Sequence, residues 1–185
     1  MKLYGSYSSP FVRHCRIVLL EVGFESEFIE TDASASAERS PAKRVPFFSD
    51  EGIQLTDSSS IVRYLREKAG QNFLPNCIEL DRYCLINAAL DSAINLFFLE
   101  RSNPELVDGA YITCNRARVD AILSELNATP WPAALDGNDL LWRLACFLDW
   151  GLYRKRYSFD QHENLMSFLD AARKHDLFIQ TAPPA

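Results

Sequence analysis

The sequence predicts two units of different class, an α/β unit of order β-α-β-α-β-β-α followed by an all-α unit. Three observations carry this reading. The first seventy residues alternate short strand-like and helix-like segments. Everything after about residue 79 reads as helix. Between them Gly70 to Asn76, GQNFLPN, has the composition of a linker. The expected division is residues 1–70, a linker over 71–78, and a helical unit over 79–185.

Lys2 to Ser6 reads as a strand, and Pro10 stands where the first turn of a helix tolerates it. The helix VRHCRIVLLEVG follows and closes on Gly23. Residues 26–31, SEFIET, alternate polar and apolar as a second strand, and a loop or short helix rich in Ala and Ser runs from Asp32 to about Ser40. VPFFS and IQLT flank Asp50-Glu51-Gly52, which predicts an antiparallel hairpin with Gly52 at positive φ. A helix then begins at Asp57 or Ser58, with Ile61, Tyr64 and Leu65 on one face.

Beyond the linker, a long apolar helix is expected from Glu79 to about Arg101, and Pro104 restarts a second one to about Asn127. Thr129-Pro130-Trp131-Pro132 is a break. Asp136-Gly137-Asn138-Asp139 offers an N-cap acceptor and a carboxylate at the third helical position, so LLWRLACFLDW should start a buried helix there. A further helix spans about His162 to Arg173, and the tail TAPPA is expected to be loose.

With 185 residues, 48% of them hydrophobic, the chain can bury a proper core. Its 19 Lys and Arg stand against 25 Asp and Glu, a net charge of −6, which argues against nucleic acid as a partner. The N-terminus has no long apolar stretch, and about 18 uninterrupted apolar residues occur nowhere, so a soluble cytoplasmic protein without a membrane partner is expected. Five cysteines without a C-x-x-C pair or zinc-finger spacing predict neither a disulfide framework nor a metal site. Cys15, Cys84, Cys114 and Cys146 fall in apolar helical stretches and read as buried, inert thiols. His14, His162 and His175 read as surface or capping residues.

Three segments carry chemistry. Pro46 in R-V-P begins a strand directly after a loop, which suits either a trans proline at a strand start or a cis bond that leaves the Val45 backbone able to pair with an extended peptide. Thr56-Asp57-Ser58-Ser59-Ser60-Ile61 opens a helix. Ser58 and the free amides there suit a ligand carboxylate and Asp57 an adjacent ammonium, the two charged ends of an α-amino acid; ordinary capping is the alternative. Ser8-Ser9-Pro10-Phe11 is a strand-to-helix turn that reads as an N-cap, or as a hydroxyl donor to a thiolate assisted by the helix dipole.

In this order the segments resemble the bacterial cytosolic glutathione transferase (GST) family. MKLYGSYSSPFVRHCRIVLLEVG is similar to its opening strand and helix, SPAKRVPFF to its cis-proline segment, LTDSSSIVRYL to its glutathione carboxylate site, and LDGNDLLWRLACFLDW to its capped core helix. The resemblance covers nearly all of the chain. It implies a thioredoxin-like domain that binds glutathione as co-substrate, a helical-bundle domain that shapes the pocket for a small hydrophobic electrophile, and a homodimer. It puts Ser9 at the position that carries a catalytic cysteine or serine, with Ser8 as the neighbour able to replace it and Tyr7 more distant. Val45, before Pro46, is implied to hold the cysteinyl part of glutathione, Asp57 and Ser58 the γ-glutamyl end, and Lys43 or Arg44 the glycyl end.

The chain departs from the family pattern in three places. Lys43-Arg44 stands where relatives often have Gly-Lys, Asp57 replaces the more frequent Glu, and the segment around RSNPELVDG is shorter than usual. Asp91, Asn95 and Phe98 are candidates to face the cleft. The implied activity is attack of an activated glutathione thiolate on an electrophile. The alternatives are a glutathione-dependent thiol-disulfide reductase or peroxidase, which would favour cysteine at position 9, and a non-catalytic binding or regulatory protein of the same fold.

Overall fold

A computed structural model of the chain describes residues 1–31, 35, 39–103, 105 and 109–184. Strands β1 (Lys2–Gly5), β2 (Glu27–Glu30), β3 (Phe47–Asp50) and β4 (Ile53–Leu55) form one mixed sheet in the order β2-β1-β3-β4. β2 runs parallel to β1, Leu3 opposite Phe28, because helix α1 (Pro10–Val22) supplies the crossover. β3 and β4 are antiparallel and meet at Glu51-Gly52, where Gly52 has φ 89°. The segment expected as a loop or short helix from Asp32 to Ser40 lies largely outside the described residues.

Gly5 fixes how the sheet meets α1. A Cβ at Gly5 would stand 2.4 Å from Val12 Cγ2, so only glycine lets the end of β1 come this close to the helix. The chain then turns through Ser6 to Ser9 and enters α1 with Ser9 as N-cap and Pro10 in the first turn. Gly23, in the left-handed region at φ 71°, ends the helix.

Helix α2 (Ser58–Lys68) packs on the same face of the sheet as α1, and Val12, Cys15, Val18, Phe48, Ile61, Val62 and Leu65 form the core between them. A second core joins α3 (Cys77–Ser102), α4 (Ala110–Asn127), α5 (Asp139–Tyr153), α6 (Glu163–Ala172) and α7 (Asp176–Gln180). Ile17 on the far side of α1 belongs to that second core, so one helix serves both. By length and composition α3 could span a membrane. Here it packs against α4 and α5 through Tyr83, Ile86, Ala89, Leu90, Ala93 and Leu96. Pro104 lies outside the described residues.

Several expectations need correction. Cys15 and Cys146 are buried, but Cys84 and Cys114 are exposed, because the helical period that turns Tyr83 and Ile86 inward turns Cys84 outward. His14 is neither a surface nor a capping residue but is fully buried. His175 does cap α7, its Nδ1 accepting from the Leu177 amide at 3.2 Å, whereas His162 precedes α6 without a side-chain cap bond. The N-cap of α5 is Asn138, whose Oδ1 accepts from Leu141, and Asp139 enters the first turn with its carboxylate turned inward. The tail is not loose throughout: Thr181 is fully buried behind α7, a helix the sequence pattern did not signal.

Candidate functional site

A cleft of about 300 Å³ opens where the N-terminus of α2, the segment before β3 and the middle of α3 converge. It gathers Arg44, Val45, Pro46, Asp57 and Ser58, with Phe11 from α1 as an apolar wall and Asn87 and Asp91 from α3 opposite. Lys43 is exposed and does not line it. The Val45–Pro46 bond is cis, and neither the Val45 amide nor its carbonyl is bonded to another described residue. An extended ligand peptide therefore finds a free donor and acceptor at this edge.

Asp57 caps α2: its Oδ1 accepts from the Ser59 amide at 2.8 Å and the Ser60 amide at 3.4 Å. Its Oδ2 lies 3.6 Å from Arg44, whose other nitrogen stands 3.4 Å from Asp91. All three side chains are about half exposed, so these pairs are weak and a ligand ammonium can replace Arg44 beside Asp57. Burial pushes the Asp91 carboxyl above its usual range, against the opposing pull of Arg44.

Ser58, expected to meet a ligand carboxylate, is also tied to the helical part of the chain. It is buried, and its Oγ accepts from Arg143 Nη2 at 2.9 Å. Arg143, from α5, also donates through Nε and Nη2 to the Tyr83 hydroxyl, the former at 3.1 Å. Tyr83 in turn donates to Ser59 Oγ at 3.3 Å, and Asn87 Nδ2 lies 3.5 Å from the same atom. Sequence reading missed Ser59, Tyr83, Asn87 and Arg143. The available signal was a single arginine inside the apolar run LLWRLACFLDW.

Ser8 and Ser9 line a neighbouring cleft of about 210 Å³ rather than the first, together with Tyr7, Arg13, Trp150 and Tyr153. Ser9 Oγ accepts from the Val12 amide at 3.4 Å, which leaves its own proton to donate. Ser8 Oγ is paired with Ser6 Oγ at 3.1 Å. The Tyr7 ring is held between Phe28, 4.6 Å away, and the Arg16 guanidinium at 4.7 Å. Cys146 also borders this cleft, but burial pushes its thiol up to about 11, and burial pushes Cys15 up to about 12. Neither is a thiolate near neutral pH.

A sheet of order β2-β1-β3-β4 packed against α1 and α2, with a cis-proline before β3 and a helical bundle after it, has direct counterparts. The structure superposes on a glutathione S-transferase of Methylobacillus flagellatus KT with glutathione bound, with TM-score 0.85 over 99% of both chains at 22% identity. The chain has the glutathione S-transferase fold. Residues 3–73 match the family model of the glutathione S-transferase N-terminal domain. A glutathione transferase family member of Pseudomonas fluorescens Pf-5 with bound S-(propanoic acid)-glutathione gives TM-score 0.81 over 99% of both chains at 19% identity. In sequence, the uncharacterized GST-like protein YibF of Escherichia coli (strain K12) is 44% identical over 70 residues, and the match covers 35% of this chain and 35% of the relative's own length.

Proposed function

We propose that this chain is a glutathione transferase that binds glutathione in the Val45–Asp57 cleft and activates its thiol toward an apolar electrophile. The observation that carries the reading is the cleft itself. A free backbone edge at Val45, beside a cis-proline, stands in one recess with the capped N-terminus of α2 and the Asp57 carboxylate. Those three features match the cysteinyl amide, the carboxylate and the ammonium of a γ-glutamyl peptide. Of the two similar structures described above, one holds glutathione and the other S-(propanoic acid)-glutathione, which supports a glutathione-type ligand here.

In this reading residues 1–70 bind glutathione and residues 79–185, beyond the linker 71–78, shape the second-substrate pocket. Arg44, with exposed Lys43 as its neighbour, meets the glycyl end. Ser9 is the donor to the thiolate, because its oxygen already accepts an amide proton and its own proton remains available. The helix dipole of α1 adds to that stabilisation. Ser8 shares its hydroxyl with Ser6, and the Tyr7 ring is packed against Phe28 and Arg16, which favours Ser9. The electrophile would occupy the cleft walled by Trp150 and Tyr153. Serine rather than cysteine at position 9, and two buried thiols of raised pKa, weigh against the reductase or peroxidase alternative.

The decisive experiment is titration of the bound glutathione thiol, followed by thiolate absorbance against pH. Wild type is expected to lower it by about a unit or more from the ordinary thiol value near 8.5, and Ser9→Ala to restore it with little change in affinity. A shift lost only in Ser8→Ala would move the role to Ser8. Binding without any shift would leave a non-catalytic glutathione-binding protein. The reading also includes a homodimer, which sedimentation tests, and a reducing cytoplasmic setting, which suits cysteines that are all free.

A further inference from the structure

Arg143 is a buried cation without an ion-pair partner among the described residues. Its side chain is fully buried, yet among the described residues no carboxylate lies within ion-pair distance, and Nη1 has no hydrogen-bond partner. Phe11 and Tyr83 pack against the guanidinium, with ring centroids at 4.8 and 5.0 Å from its central carbon. Such a charge is costly to bury unless something compensates it. It touches Ser58, the first residue of α2, where the helix end adds further positive potential.

A guanidinium can only donate, and this fixes the direction of every proton downstream. Ser58 Oγ accepts from Arg143, so the Ser58 proton is left for another acceptor. The Tyr83 oxygen accepts from Arg143 as well, so the Tyr83 proton goes to Ser59 Oγ. Ser59 Oγ, accepting from Tyr83 and from Asn87 Nδ2, likewise keeps its own proton to give. Neither serine donates to a protein acceptor among the described residues, and both line the same cleft.

We propose that Arg143 is the positioning residue of the α2 anion site, making donors of Ser58 directly and of Ser59 through Tyr83, so that the site selects a ligand carboxylate. The ligand thereby supplies the missing negative charge. Ser59 becomes a second side-chain contact to that carboxylate, and the helical half of the chain sets the specificity of a site built on α2. The inference rests on the reading of this cleft as the glutathione site.

The test compares glutathione with its analogue lacking the γ-glutamyl α-carboxylate, a 4-aminobutyryl group in its place, by calorimetric titration. Arg143→Met, Tyr83→Phe and Ser59→Ala are each expected to lose about tenfold or more in affinity for glutathione while binding the analogue as wild type does. Tyr83→Phe combined with Ser59→Ala should lose no more than the larger single loss, because the tyrosine acts through the serine. Arg143→Lys, still a donor-only cation, should recover part of the affinity. Equal losses on both ligands would reduce Arg143 to a structural role, and unchanged glutathione affinity in all three variants would overturn the proposal. Wild type that holds both ligands equally would overturn it while leaving glutathione binding intact. Wild type that holds neither ligand would overturn the glutathione reading itself, and this inference with it.

Discussion

Two arginines are fully buried in this molecule, and they are placed in opposite ways. Arg66, near the end of α2, meets Asp139 through Nε and Nη2 and Glu21 through Nη2, and Nη1 reaches Gln71 at 2.8 Å. Every face of that guanidinium is answered. Burial alone would lower its pKa, but the two carboxylates outweigh this and raise it. Burial alone would likewise raise Asp139, and its bonds to His14 and Arg66 hold it below its ordinary value. Arg143, one helical turn beyond Asp139 on α5, meets only hydroxyl groups and aromatic rings. The first arginine ties α1, α2 and α5 together. The second keeps a positive charge in reserve beneath a cleft. Burial of a charge is thus no guide to its purpose until its partners are counted.

The largest expected effect lies on the compensated side. Arg66→Met strands the Asp139 and Glu21 carboxylates in the interior and should cost about 3–5 kcal/mol in urea unfolding. Arg143→Met strands no opposite charge and should be neutral or stabilising within about 1 kcal/mol. If the two variants destabilise alike, the contrast drawn between them is wrong.

His14 lies between the two arginines and reports on both. Burial first, and then the charge of Arg143, push it down to about 4, although its bond to Asp139 opposes them. The unfolded chain takes up this proton near pH 6.5, the folded chain only near 4. Stability from His14 is therefore complete above about pH 6.5 and is lost as pH falls toward 4, by roughly 3 kcal/mol in total. Unfolding measured across that window should show this slope, and His14→Leu should flatten it. In Arg143→Met the slope should shrink, since one of the two main depressing influences is gone.

A smaller effect is expected at Asp57. Asp57→Ala removes the N-cap of α2 and the proposed ammonium partner, so about 1 kcal/mol of stability and about 1.5–3 kcal/mol of glutathione binding should go together. Calorimetry and thermal unfolding on the same variant separate the two. Unchanged affinity would remove Asp57 from the site and leave it a capping residue only.

Local patterns carried most of the fold. Pro10, Gly23 and Gly52 mark a helix start, a helix stop and a turn by their backbone chemistry alone, and the structure uses each of them so. The cleft was legible where a residue's role is local: Asp57 as cap and Val45 before a special proline. What was not legible depends on long-range partners. Nothing near position 14 or 143 says that His14 would meet Asp139, or that Arg143 would meet Ser58 from 85 residues away. Cys84 and Cys114 failed for a related reason, because an apolar neighbourhood in sequence does not say which face of the helix a thiol occupies. Ser58 was legible as a candidate residue at the start of α2, but its bond to Arg143 was not.

The end of the chain returns to its beginning. Arg13, in the first turns of α1, pairs with Asp149, donates to the Phe178 carbonyl at 2.8 Å and to Thr181 at 3.4 Å across 168 residues, and Arg16 reaches the Thr181 carbonyl at 3.1 Å. The helix that presents Ser9 is thus held by residues more than 160 positions further along the chain. The bonds that seat Arg13 and Arg16 wait for the segment around Phe178 and Thr181, so α1 settles against these far partners late in folding. A polypeptide that stops before Phe178 would carry Ser9 on a helix without these partners, and it should lose the fixed position of α1 before it loses the sheet.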